Sequence, residues 1–224
     1  MSSDTYAAAD RTRGKRSLRE RRLRERLLHK TRSSGFLERP AMHLVRPARL
    51  HLASYVAALE RGWSPDNTDT VAAAEELERL RADEASFLAG MEDREASGPP
   101  VKMPDGSFVP RLPGIRRWLW DGEFAGSIGF RWQPGTTALP PYCLGHIGYA
   151  VVPWKEGRGY AKEALRLILP EAKALMMPFV ELTTDPDNIA SQRVIEGNGG
   201  VLHEEFTKPV QHGSTRGLRY RIYL

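Results

Sequence analysis

The chain has 224 residues, 41% of them hydrophobic, which is long enough for one domain with a full core and an additional arm. No apolar run approaches the roughly 18 residues that span a bilayer, and the N-terminus has no apolar segment behind its charges, so we expect a cytoplasmic protein. The single cysteine, Cys143, excludes an internal disulfide and a cysteine-based zinc site, and no metal is implied.

The net charge of +5 comes from the N-terminal arm. The first 40 residues carry twelve Lys/Arg against five Asp/Glu, whereas the remainder is slightly acidic. Within 11–32, Ser17 precedes Glu20 at capping-box spacing, and a short basic helix there would contact nucleic acid or an anionic surface. We favour a solvated tail, because no aromatic residues interleave the arginines. The prediction is a basic, disordered or partly helical arm over 1–41 and one domain over 42–224.

The first half of the domain is predicted to be a strand, two helices and an aromatic hairpin. The strand covers 43–46, and a helix follows with Leu50, Tyr55 and Leu59 on one face. A second, strongly helical stretch is predicted over TVAAAEELERLRADEASFLAGMED, which is rich in Ala, Glu and Leu. A loop or irregular hairpin is predicted for SGPPVKMPDGSFVPRLPG, and two strands joined by Asp121-Gly122 for RRWLWDGEFAGSIGFRW.

The second half alternates strands and helices. A strand in CLGHIGYAVV leads through a glycine-rich turn into the helix GYAKEALRLILPEAKAL, and then into the strand PFVELTTD. This strand–helix–strand unit should be parallel and right-handed. A short helix in IASQRVIEGNGG and two final strands complete the chain. The pattern predicts an α/β protein with a mixed sheet.

The turn in VVPWKEGRGYA has the chemistry of an anion site. Its amides open a helix, where N–H groups lack partners and the helix dipole is positive. Gly157, Gly159 and Ala161 keep side-chain bulk away, so that a diphosphate can touch the main chain, and Arg158 can add a charged contact. The alternative is a tight corner that needs glycine only for its bend.

Two other phosphate-binding classes fit poorly. A Walker loop is excluded, because no Gly-Lys-Ser/Thr closes the turn. A dinucleotide fold has a similar fingerprint in GRGYA, with Asp185 near the end of the next strand. Only one crossover unit follows, however, and the chain ends in antiparallel strands.

Two segments, VVPWKEGRGYAKEAL and TTDPDNIASQRVIEGNGGVL, resemble the GCN5-related N-acetyltransferases (GNAT), a likeness that extends over about 43–224. The first has the strand, the proline and the glycine-rich helix start of that family. The second has the Asn, the small residue three positions on, and the terminal Gly-Gly. The resemblance implies the acyl-CoA N-acyltransferase fold: a mixed, mostly antiparallel sheet with a central parallel, splayed strand pair and flanking helices.

The resemblance also implies acetyl-CoA as the co-substrate. The main chain of Tyr149, Ala150 and Val151 would hold the pantetheine and the acetyl carbonyl, with an N–H near Val151 as the oxyanion donor. Asn188 and Ser191 would contact the far side of the cofactor. The residues expected at the pyrophosphate are Gly157, Arg158, Gly159, Tyr160, Ala161 and Lys162.

The resemblance does not assign the catalytic groups, because two positions depart from the family pattern. Glu156 replaces the usual Gln or Arg of the turn, and we expect it to point to solvent. Ile195 occupies the position at which many members of the family have a Tyr that protonates the leaving thiolate. The acid is then water or a tyrosine, with Tyr149 and Tyr160 available and Tyr149 as the candidate, and His146 is the candidate base. The alternatives are a core tyrosine and a strand histidine satisfied by a neighbour.

These features predict an N-acetyltransferase in which a primary amine of a small-molecule, peptide or protein acceptor attacks the thioester directly. The loop QPGTTALPPYC is expected to border the acceptor side. The alternative is a catalytically weak acyl-CoA-binding or regulatory module whose basic arm contacts nucleic acid. The acceptor stays unidentified, and the chain is expected to be a monomer or a homodimer.

Overall fold

The computed structural model describes residues 41–65, 71–103 and 105–224, and from Ala41 to Leu224 the chain forms one structural unit. Apart from Ala41, the predicted arm lies outside the described residues. The strands within the described ranges are β1 His43–Val45, β2 Glu92–Asp93, β3 Val101–Lys102, β4 Phe108–Val109, β5 Gly114–Trp120, β6 Phe124–Arg131, β7 Ile147–Val151, β8 Phe179–Thr184, β9 Val201–Thr207 and β10 Arg216–Tyr223. The α-helices in the same ranges are α1 Leu52–Glu60, α2 Ala72–Ala82, α3 Glu84–Ala89, α4 Tyr160–Ala174 and α5 Ile189–Glu196.

The strands form two main sheets. The first has the order β1-β5-β6-β7, with β2 also paired to β5, and the second has the order β8-β10-β9. Each ladder within the described residues is antiparallel. The predicted hairpin at Asp121-Gly122 joins β5 to β6. The expected mixed α/β class, with antiparallel sheets and flanking helices, is confirmed.

The first sheet is buried on both faces. Neighbouring residues of a strand point to opposite faces, so Leu119 packs into the core beneath α4 while Trp118 packs toward α1. On the α1 side, the rings of Trp118 and Tyr55 stack with centroids 4.3 Å apart. Burial of such side chains contributes about 1.5–3 kcal/mol each. The central strands are therefore held rigidly between two apolar layers.

No ladder joins β7 to β8. Their connection lies just before β7, where His146 N–H donates to Glu181 O at 2.8 Å and Glu181 N–H donates to His146 Nδ1 at 2.9 Å. The preceding Gly145 permits this approach, because a Cβ there would lie 3.1 Å from Glu181 O. Beyond this point the strands run in separate sheets, which leaves a cleft between β7 and β8.

Two local predictions were wrong. The long predicted helix is divided into α2 and α3 at Asp83, whose backbone is extended and whose carboxylate accepts hydrogen bonds from Ser86 N and Oγ, at 3.0 and 2.6 Å. An N-cap thus begins a second helix where helix propensity predicted continuity. Leu50 is 78% exposed because it lies in a 3-10 turn before α1, whereas Tyr55 and Leu59 are buried as predicted.

Gly126 of β6 should be intolerant of a side chain. It has φ +146, and a Cβ would lie 2.3 Å from Ala150 O and 2.9 Å from Val151 Cα. We expect Gly126→Ala to lower the free energy of unfolding in urea by about 2 kcal/mol or more, because β7 must move away. Gly129→Ala in the same strand is the control, since its Cβ would meet only Ile115 O, at 3.8 Å. Equal stability of the two variants would contradict this account.

Candidate active site

The predicted anion turn presents open main chain at the start of α4. Gly157 and Gly159 have φ +72 and +79, and a Cβ on either would meet no atom within 4 Å. Gly159 is the N-cap of α4, and no side chain caps the helix there. The first amides of α4 are thus available to a bound anion. Glu156, which departs from the family pattern, is exposed to solvent, as expected.

A buried ion pair holds this turn from behind. Lys155 Nζ lies 2.6 Å from Asp121 Oδ1, and Tyr160 OH donates to Asp121 Oδ2 at 2.7 Å. Burial raises the pKa of Asp121, but the bonds from Lys155 and Tyr160 outweigh it, so the pKa lies below its ordinary value. Asp121 thereby fixes residues on both sides of the glycines. Sequence reasoning treated Asp121 only as a hairpin-turn residue and did not consider Lys155.

The main chain of β7 offers donors on the cleft side. Val152 N–H donates to Ala125 O of β6 at 3.0 Å. Because N–H groups alternate in direction along a strand, that of Ala150 also points to β6, whereas those of Tyr149 and Val151 point to the opposite edge. That edge faces the cleft toward β8. Of the three predicted main-chain contacts, the N–H groups of Tyr149 and Val151 are therefore the ones suitably directed.

Two of the predicted side chains meet across the cleft, and a third caps the helix that carries one of them. The hydroxyls of Tyr149, on β7, and Ser191, on α5, lie 2.9 Å apart. Asn188 Oδ1 accepts from Ser191 N–H at 3.0 Å and so caps α5. Burial raises the pKa of Tyr149 to about 12, although the Ser191 bond opposes this shift. Tyr149 consequently keeps its proton at neutral pH.

Two predicted pyrophosphate residues bond within the protein. Arg158 donates to Trp154 O at 3.2 Å, which folds its side chain over its own turn. Lys162 is exposed and lies beside α5, and its carbonyl accepts from Asn198 Nδ2 at 3.1 Å. Arg158 would have to exchange a main-chain contact for a phosphate, whereas the Lys162 ammonium lies at the surface next to the turn.

His146 does not have the properties expected of a general base. It is fully buried, its Nδ1 accepts the Glu181 N–H, and burial lowers its pKa to about 4 although the Glu181 carboxylate opposes this shift. A group without solvent contact, already bonded and neutral across the physiological range, is poorly suited to take a proton from an amine. The alternative of a strand histidine satisfied by a neighbour fits at Nδ1, whereas Nε2 is buried with no hydrogen-bond partner among the described residues.

A cavity of about 470 Å³ lies on the other side of β8 from the core. Its wall belongs to residues 136–144, which include most of the loop expected at the acceptor side. The loop is anchored by Tyr142, whose OH donates to Pro110 O at 2.9 Å. Cys143 lies buried in this loop, where its Sγ is 3.5 Å from Gly145 O. This burial agrees with a structural role for Cys143.

Comparison with known proteins identifies the class. Residues 109–201, which contain the hairpin, β7, the turn and α5, match the family model described as an acetyltransferase (GNAT) domain. Over these residues the chain is similar to the GNAT acetyltransferases. The predicted family and enzyme class are confirmed. No curated protein matches the chain significantly.

Solved structures share the fold at low identity. The chain is similar to RimL, a ribosomal L7/L12 alpha-N-protein acetyltransferase in complex with coenzyme A (14% identity, TM-score 0.53, covering 82% of this chain and 94% of that one). It is also similar to MccE, a microcin C7 self-immunity acetyltransferase in complex with acetyl-CoA and AMP (14%, 0.51, 82% and 92%). A third is an acetyltransferase that modifies the N-terminal serine of ribosomal protein L7/L12 from Salmonella typhimurium (15%, 0.51, 82% and 95%).

Over the described ranges, no helix combines the length and apolar character needed to cross a bilayer. The same part of the chain contains no group of three or more His, Cys, Asp or Glu side chains placed to bind a metal ion.

Replacement of Asp121 should weaken the turn. Asp121→Asn leaves the Lys155 ammonium, which is 5% exposed, without its closest carboxylate. Breaking one side of a buried pair is costly, and the turn is free to shift. We expect calorimetric CoA affinity to fall about tenfold. Glu123→Gln is the control, because that side chain is 76% exposed and 3.5 Å from Lys155. If Asp121→Asn bound CoA with unchanged affinity, the turn would keep its conformation without the Asp121 carboxylate.

We expect His146 to make the stability of the protein depend on pH, but not its catalytic rate. Its folded pKa of about 4 lies below its ordinary 6.5, so the unfolded chain binds more protons between these values and stability decreases as pH falls through that window. The full effect is roughly 3 kcal/mol. We expect His146→Asn, which keeps an acceptor for Glu181 N–H, to lose this slope in urea titrations at pH 4–8. The pH dependence of its acetyl-transfer rate near neutral pH should match that of the wild type. If the variant lost a rate change that the wild type shows near neutral pH, His146 would again be the candidate general base.

Proposed function

We propose that the protein transfers an acetyl group from acetyl-CoA to a primary amine. The observation that carries this proposal is the open amide turn at Gly157–Gly159, together with the N–H groups of Tyr149 and Val151 that face the cleft. A turn at a helix start suits a diphosphate, and an exposed strand edge suits the amides of an extended pantetheine. The coenzyme A and acetyl-CoA complexes of structurally similar acetyltransferases support the same donor.

The transfer would proceed by direct attack. The amine nitrogen forms a bond to the carbonyl carbon, the C–S bond breaks, and the sulfur takes the bonding electron pair. The proton that the amine loses balances the proton that the sulfur gains. The Val151 N–H would donate to the carbonyl oxygen as negative charge develops there, a contribution worth about 10²–10³ in rate.

Tyr149 is our candidate for the group that assists the leaving sulfur. With a pKa of about 12 it is protonated at neutral pH, and it shares a hydrogen bond with Ser191. A thiol has a pKa of about 8.5, so complete transfer from Tyr149 is uphill and a donated hydrogen bond is the more favourable contribution. Ile195 is 1% exposed in the core and supplies no proton.

The second candidate function is an acyl-CoA-binding module with little catalysis. It is favoured by Ile195, which stands where the resemblance expects an acid, and by the buried, neutral His146. Both functions need the turn and the cleft. They differ in whether acetyl-CoA is consumed when an amine is supplied.

An assay of free CoA thiol over a panel of amines separates the two functions. We expect thiol release that depends on both acetyl-CoA and the amine. Tight calorimetric binding of acetyl-CoA without release across the panel would favour the module, and absence of binding would overturn both.

Tyr149→Phe tests the role of the hydroxyl. We expect kcat to fall about tenfold or more while the KM of acetyl-CoA changes little, because the lost hydrogen bond matters as charge develops on sulfur. Tyr223→Phe is the control, since that side chain is exposed at the end of β10. A normal kcat in Tyr149→Phe would remove Tyr149 from the mechanism.

A further inference from the structure

The cavity beside β8 has an uncharged wall and a charged floor. The wall is formed by residues within 136–144, which are apolar or hydroxyl-bearing. The floor is formed by β8, β10 and β9, on the side directed away from α4. It includes the side chains of Phe179, Glu181, Phe206, Arg219 and Arg221.

The charged side chains of the cavity are two arginines and one glutamate. Among its described lining residues, Arg219, Arg221 and Glu181 are the charged ones. Arg219 also reaches Glu204, at 2.9 Å, outside the lining, so that two carboxylates balance the two arginines. Both arginines nevertheless line the cavity, whereas only one of the two carboxylates does.

The two arginines are held in place before any ligand binds. Arg221 Nε donates to Glu181 Oε1 at 2.9 Å, and Arg219 Nε lies 3.8 Å from Glu181 Oε2. The guanidinium of Arg221 stands 4.4 Å from the ring centroid of Phe179, and that of Arg219 stands 4.6 Å from that of Phe206. A fixed guanidinium retains further N–H donors and loses little entropy when it binds a carboxylate or phosphate.

This floor lies next to the cleft. In register, Arg221 is opposite Glu181 and Arg219 is opposite Thr183, so both arginines are one strand spacing, about 4.8 Å, from β8. Glu181 is the residue of β8 that bonds to His146 where the cleft begins. The cavity therefore lies beside the closed end of the cleft.

We infer that the acceptor amine carries a carboxylate or phosphate group, which Arg221 and Arg219 bind in this cavity. The inference rests on the proposed acetyl transfer and adds the chemical class of its acceptor. A cationic group in the same place would face two guanidiniums, and the single carboxylate is already bonded to Arg221. A neutral group would form weaker hydrogen bonds with the guanidinium N–H groups than a carboxylate or phosphate forms.

Three amines that share an aminoethyl chain and differ in its terminal group test the inference: ethanolamine, β-alanine and O-phosphoethanolamine. Each is titrated calorimetrically into the CoA-loaded protein and is also supplied as an acceptor in the thiol assay. We expect either anionic amine to bind at least tenfold more tightly than ethanolamine, and to have a kcat/KM higher by a similar factor. The preferred amine identifies the group as a carboxylate or a phosphate.

Variants of the arginines locate the site. Arg221→Gln should remove the preference for the anionic amine while the KM of acetyl-CoA stays within about twofold, and Arg221→Lys should keep part of it because the charge remains. Arg216→Gln is the matched control, since Arg216 is an exposed arginine of the same strand, outside the cavity lining.

Equal binding of the three amines, or a preference that survives in Arg221→Gln, would overturn the inference. The comparison of the three amines on the wild-type protein tests the inference even if a variant fails to fold. Acetylation of amines without any anionic preference would leave the proposed acetyl transfer intact and reject only the acceptor class. Calorimetric binding needs no turnover, so it also gives a result where thiol release is absent.

Discussion

The fold depends on the place where β7 and β8 meet and then separate. Two hydrogen bonds, from His146 N–H to Glu181 O and from Glu181 N–H to His146 Nδ1, join the strands. The second uses an imidazole nitrogen as its acceptor, so the connection does not extend as a ladder. Beyond it the strands lie in separate sheets, and the N–H groups of Tyr149 and Val151 point away from β6. The cleft is thus a consequence of where backbone pairing stops.

Both ends of this cleft are held by buried polar groups. At the open end, Asp121 reaches from the β5–β6 hairpin to Lys155 and Tyr160, on either side of the glycine turn. At the closed end, Glu181 bonds to Arg221 in the neighbouring strand. Buried charges are expensive unless they are paired, so each carboxylate strongly favours a single arrangement of its partners. The flexible glycines can stay exposed because their neighbours are fixed.

Local patterns predicted most of the elements. The Asp121-Gly122 hairpin, the turn at Gly157 and Gly159, and α5 were placed correctly, since each depends on residues within a few positions. The prediction failed at Asp83, where an N-cap outweighed the helix propensity on both sides. It also failed for Leu50, which an isolated 3-10 turn leaves exposed. Propensity ranks conformations of one segment and does not include these competing local bonds.

The sequence by itself determined the class of protein, because the glycine turn and the Asn188–Ser191 segment carry it in contiguous residues. Only the tertiary structure decided the environment of each site group. It buried His146, joined Tyr149 to Ser191, and brought Asp121 to Lys155 and Arg221 to Glu181. The last two pairs are separated by 34 and 40 residues. Their meeting depends on strand register and sheet packing, and the pKa of a group depends on the burial and partners that result.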